Sequence, residues 1–213
     1  MENPKGNLVQ FGSEKFELSE ATESKFFQGT RTSRNYKQMD PEMFLFNIDS
    51  ASRQGDSLIF IAENGIQTIL INTKNTADDA EASNAIYYRF FSSLAGFHEV
   101  SANSDLNSRM ILVNKKTGDT THTEGISAIS PSGKYLLTAN PDVFWDDKIS
   151  PVELFEIRND KLVLIGRQKV NNWTPYSILW LSDDRILLTV GTTPKDRDDH
   201  NLDHQNVELN RLQ

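Results

Sequence analysis

The chain has 213 residues, 37% of them hydrophobic, with 12 Phe, 5 Tyr and 3 Trp. That is enough apolar side chain for one sizeable core or two small ones, and it excludes wholesale disorder. A formal net charge of −8 with no offsetting run of Lys and Arg disfavours nucleic acid and anionic membrane as partners, and the absence of cysteine excludes disulfides, thiolate catalysis and sulfur-built zinc sites.

The first residues, MENPKGNLVQFG, lack the apolar stretch of a signal peptide. The expected compartment is therefore the cytoplasm, or the periplasm after loss of a leader. No stretch approaches the ~20 apolar residues of a membrane span. NLVQFGSEKFELS (7–19) reads as an outer strand able to close a ring against the last unit of the chain. In QGDSLIFIAENG (54–65), Gly55-Asp56 supplies a turn and 58–62 a strand, and 67–72 adds another. ADDAEASNAIYYRFF (77–91) is the best helical candidate, although its second half reads equally well as a strand. SSLAGFHEVSA (92–102) fits a degenerate copy of the turn and strand unit, followed by a strand at 109–114 that ends in the turn Asn114-Lys115-Lys116-Thr117-Gly118.

AISPSGKYLLTANPD (128–142) states the unit most clearly. Ser130-Pro131-Ser132-Gly133 is turn chemistry, because Pro presets φ and Gly accepts a positive φ; the apolar run 134–139 follows, and Asn140-Pro141-Asp142 stops it. Two strands, 152–157 and 162–165, form a hairpin around Asn159-Asp160-Lys161. The unit then returns in SILWLSDDRILLTVGTTPKD (177–196), where RILLTV matches KYLLTA almost residue for residue. Leu58 and Tyr135 lie 77 residues apart, and Tyr135 and Ile186 lie 51 apart, close to two periods and one extended period of about 40. TILI, MILV and LVLI are apolar on both faces, as strands sandwiched between neighbouring sheets are.

AISPSGKYLLTA and ILWLSDDRILLTV resemble the turn and strand wording of TolB-type and WD40-type β-propellers over about residues 55–190. The Gly-His and Trp-Asp signatures of the WD40 type are missing at the expected places. The resemblance implies an all-β fold: one domain, 1–213, forming a small or incomplete β-propeller of about 4–5 blades of antiparallel strands.

No nucleophile elbow, phosphate loop, dinucleotide fingerprint or zincin motif is present; Gly125-Ile126-Ser127-Ala128-Ile129 lacks the second glycine of an elbow, and His98-Glu99 lacks the second histidine of a zincin. No cofactor is expected. Two stretches invite function. DRDDHNLDH (196–204) places His200 and His204 four apart, with Asp199 beside them, a metal-ligand pattern if the segment is helical and a solvated acidic loop otherwise. NPDVFWDDKISP (140–151) sets Phe144 and Trp145 among Asp142, Asp146 and Asp147, an aromatic anchor with an acidic rim, and Trp173 in NNWTPY is similar. The alternative for both tryptophans is a cap on the core, and Trp180 is expected inside it. His98 and His122 read as ordinary strand or turn residues. The expected function is that of a non-enzymatic protein-binding module, in one version an immunity or inhibitor protein that neutralises a basic toxin. The alternatives are a propeller hydrolase or lyase, or a metal- or sugar-binding lectin-like protein.

Overall fold

The computed structural model describes residues 8–21, 50–73, 85–94, 96–104, 108–123, 125–140, 151–169, 173–192 and 204–212, and every regular element among them is a β-strand. The chain divides into two compact units: a discontinuous one of residues 1–34 and 124–213, and a continuous one of residues 35–123. The discontinuous unit opens with β1 (Leu8–Phe11) and β2 (Glu14–Glu20). The continuous unit holds β3 (Ala51–Gln54), β4 (Ser57–Ile61), β5 (Gln67–Ile71), β6 (Tyr87–Leu94), β7 (Phe97–Asn103), β8 (Ser108–Asn114) and β9 (Thr120–Thr123). The discontinuous unit resumes with β10 (Ile126–Ile129), β11 (Tyr135–Ala139), β12 (Pro151–Arg158), β13 (Lys161–Lys169), β14 (Trp173–Ser182), β15 (Arg185–Thr192) and β16 (His204–Arg211).

These strands form four antiparallel sheets, ordered β3-β4-β5, β6-β7-β8-β9, β10-β11-β12-β13 and β1-β2-β16-β15-β14, and none closes into a barrel. The four segments that share the turn and strand wording become β4, β7, β11 and β15, and each is the second strand of its run. The 7–19 segment forms a hairpin rather than a single strand, and β2 pairs antiparallel with β16, setting Leu18 opposite Leu209. The turn chemistry acts as its residues dictate. Ser130 O accepts Gly133 N at 2.9 Å, Ser130 Oγ accepts Tyr135 N at 3.1 Å, and Gly133 takes φ +74°. Asn159 and Asp160 both adopt positive φ, the geometry of a two-residue hairpin whose twist matches its strands. The helical candidate resolves at 87–91 into β6; residues 77–84 lie outside the described ones.

In the discontinuous unit the two sheets pack face to face over one core. Alternate residues Tyr135, Leu137 and Ala139 of β11 and Ile186, Leu188 and Val190 of β15 turn into this shared core, with Phe16, Leu18, Val152, Leu154, Val207 and Leu209 around them. Trp180 lies within this core, as its sequence context predicts, and Tyr135 stacks on it at 6.1 Å between ring centroids. The two copies of the unit lie turn to turn. Ser132 N donates to Asp183 Oδ1 at 3.3 Å, and Trp180 Nε1 donates to Ala128 O at 3.0 Å. Hydrogen bonds from Ser132 hold the Asp183 carboxyl below the usual carboxylate range. At the outer strands the backbones of Gly12 (φ +57°) and Gly166 approach so closely that a Cβ on Gly166 would collide with Phe11 and Gly12.

Each sheet of this unit also carries a polar row across its strands. Ser177 donates to Thr189 Oγ1 at 2.8 Å and Thr189 to Asn206 Oδ1 at 3.2 Å, while Thr138 donates to Glu153 Oε2 at 3.2 Å and Arg167 Nε to Glu153 Oε1 at 2.9 Å. Thr138 and Thr189 are the matching threonines of KYLLTA and RILLTV, so the repeat extends to a shared hydrogen-bond site, fully buried at Thr138 and half-buried at Thr189.

The expectation of strands covered on both faces holds for MILV in β8, where all four residues are buried. It fails for TILI in β5 and LVLI in β13, where Ile69, Ile71, Val163 and Leu164 are exposed. Both are edge strands, and at these positions their second face is left to solvent.

Candidate binding cleft in the 35–123 unit

The continuous unit packs its three-stranded sheet on its four-stranded one around Leu58, Phe60, Phe90, Val100, Ile111 and Val113. Here the two sheets meet in the opposite sense. Ser50, whose carbonyl accepts Ile61 N at the end of β4, lies beside His98 at the start of β7, with Ser50 Oγ 3.3 Å from His98 Nε2. Arg53, paired with Leu58 near the start of β4, reaches Tyr88, paired with Ala102 near the end of β7. β4 therefore runs antiparallel to β7 across the interface.

The outer edge of β6 has no strand paired along it; one backbone bridge, Thr73 N to Ile86 O at 2.9 Å, lies just before it, and side chains from the facing sheet satisfy further edge groups. Arg53 Nη2 donates to Tyr88 O at 2.6 Å, Tyr88 N donates to Asn72 Oδ1 at 2.7 Å, and Ile86 N donates to Thr73 Oγ1 at 2.8 Å. Above this clamp opens a cleft of about 440 Å³ bordered by Arg53, Asn72, Tyr87, Tyr88, Arg89 and Asn103. Strand alternation puts Tyr87 and Arg89 on one face of β6, and Tyr87 is 49% exposed. Arg89 is exposed and makes no side-chain hydrogen bond or ion pair with the described residues; only its carbonyl is engaged, by Ser101 Oγ at 3.5 Å. With its oxygen committed to Tyr88 N, Asn72 retains an amide NH₂ as donor. The cleft thus combines two guanidinium groups, an exposed aromatic face and the Asn72 amide donor, in a chain whose net charge is −8.

At the far end of the unit, His98 is 3% exposed, stacked on Phe60 at 5.1 Å between centroids and close to Phe90. Burial, with a smaller contribution from the Lys115 charge, lowers its pKa from 6.5 to about 4. Lys115 donates from Nζ to Leu94 O at 2.7 Å, and burial lowers its own pKa. His98 is accordingly a neutral core imidazole, in line with the ordinary structural role its sequence context suggests.

Of the residues singled out from sequence, Trp173 opens β14 and packs half-buried against the core of the discontinuous unit, a position of the core-capping kind. Asp142, Phe144, Trp145, Asp146 and Asp147 lie outside the described residues, as do Asp199 and His200; His204 is the first residue of β16, opposite Gly191. Among the described residues no cluster of three His, Cys, Asp or Glu side chains is placed to hold a metal ion. The cleft residues went unnoticed because they come from four separate stretches. The one local signal was Tyr87-Tyr88-Arg89, an aromatic and cationic run at the start of a strand. No protein-family profile, curated protein or solved structure matches this chain.

Proposed function

We propose that this protein works by binding, and that the cleft of the 35–123 unit is where its partner is taken. The observation that carries this reading is Arg89: an exposed guanidinium beside a half-exposed tyrosine, on a strand edge already clamped by Arg53 and Asn72. Exposed Tyr and Arg on a rigid support make the composition of interaction hot spots, and a preformed site loses little entropy on binding. The inhibitor form of this reading, with a basic protein partner, draws its support from the net charge of −8 of the chain as a whole, while the arginine-lined cleft itself would take an acidic group of that partner.

On the same terms we read the four sheets as an incomplete propeller. Support comes from the two sheets of the discontinuous unit, where β11 and β15 are each second in their run and lie turn to turn; the opposed directions of β4 and β7 count against the same arrangement in the 35–123 unit. An experimental structure in which the four sheets share no central axis would remove that part.

The binding reading is tested by placing a photo-activated cross-linking residue at position 87 in cells, with the exposed position Leu164 of the other unit as control. The expected result is an adduct specific to position 87 that disappears in an Arg89→Glu background. Identical adducts from both positions, or an adduct indifferent to Arg89→Glu, would overturn it.

A further inference from the structure

We infer that the group this cleft receives is a carboxylate carried on a hydroxylated ring, the chemistry of a sugar acid; the inference rests on the cleft being the contact point. Arg89 offers the cleft an uncommitted planar fork, which fits the two oxygens of a carboxylate bidentately. Arg53 contributes charge nearby, but its Nη2 is spent on Tyr88 O. A dianionic phosphate would need more free donors than this arrangement offers, whereas a single negative charge is matched. Tyr87 and Arg89 are two apart on one strand face, so their Cα atoms are roughly 7 Å apart, a separation that lets one ligand place its carboxylate on the guanidinium and its ring against the tyrosine. The Asn72 amide supplies a donor for a ring hydroxyl. At about 440 Å³ the cleft falls within the size range of small-ligand sites and holds a six-membered ring with its substituents. In a protein of net charge −8, the Arg89 guanidinium offers a local site for one anionic group where the background repels anions.

The test is an NMR titration of the full chain with sodium glucuronate, run beside glucose, acetate, inorganic phosphate and a capped glutamate-containing tetrapeptide. The expected result is saturable movement of the Tyr87, Arg89 Nε–H and Asn103 signals with glucuronate, with glucose and acetate each about tenfold weaker. Arg89→Lys should weaken glucuronate about tenfold, since a point charge replaces a fork, and Arg89→Ala should abolish it. Arg158→Ala, at an exposed arginine of the other unit, should change nothing. Equal response to glucose, preference for phosphate, response to the peptide alone, or survival in Arg89→Ala would each overturn the assignment. The cross-linking result separates the two readings. A position-87 adduct with a silent glucuronate titration removes only the ligand class, and failure of both removes the cleft.

Discussion

In the discontinuous unit the turn at 131–133 lies against the turn at 183–184, and β11 and β15 point the same way. In the 35–123 unit the Gly55 turn lies at the far end from the Gly96 turn, and β4 and β7 point opposite ways. Both arrangements begin from a turn followed by an alternating apolar strand, and both bury the same face of it, Leu137 and Leu188 in one unit and Phe60 and Val100 in the other. Apolar alternation therefore chooses the strand and its inner face but is indifferent to the direction of the sheet opposite, because hydrophobic contact has no polarity along a strand. Polar contacts at the ends match each direction: Ser132, Asp183 and Trp180 in one unit, Ser50, Arg53 and Asn72 in the other.

The comparison can be broken at several points. The largest effect is expected from Leu188→Ala and Leu137→Ala, each removing a fully buried side chain at matching places for about 3 kcal/mol, measured by denaturant unfolding. Unequal losses would mean that the two copies are not equivalent in energy. Next is a pH effect confined to the 35–123 unit. Between pH 6.5 and about 4 the unfolded chain binds a proton that folded His98 refuses, so stability is fully present above 6.5 and falls as pH drops toward 4. The upper bound is about 3 kcal/mol, and a His98→Gln chain should show a flatter profile across that window.

The two polar rows should then separate. Arg167→Met strips the guanidinium from buried Glu153 and is expected to cost about 2 kcal/mol, whereas Thr189→Val in the uncharged row should cost about 1 kcal/mol. Equal costs would show that the charge in the first row contributes nothing beyond its hydrogen bonds. The smallest effect belongs to the clamp. Asn72→Ala should cost about 1 kcal/mol and speed hydrogen exchange at the Tyr88 amide while leaving the Leu188 amide unchanged.

The strands were legible because turn residues and alternation are local: Gly133, Asn159 and Asp160 adopt the positive φ their residue types favour, and Trp180 is buried as its surroundings foretold. Edge strands were misread because TILI and LVLI carry the same apolar wording as buried MILV, and exposure depends on a neighbour that the segment itself does not encode. The cleft was illegible for a related reason. Arg53, Asn72, Arg89 and Asn103 converge only once two sheets have packed in one direction, and no spacing in the sequence records that direction.

The pairing of β2 with β16 carries a consequence for timing. The seven described strands of the 35–123 unit leave the ribosome in succession and find their partners nearby in sequence, but β2 has no β16 edge to join until that strand emerges. The β1-β2 hairpin is thus held in waiting until β16 is made, and β16 acts as its latch. Nascent chains stalled at residue 150 should yield a protease-resistant core from the continuous unit while β1 and β2 are still digested.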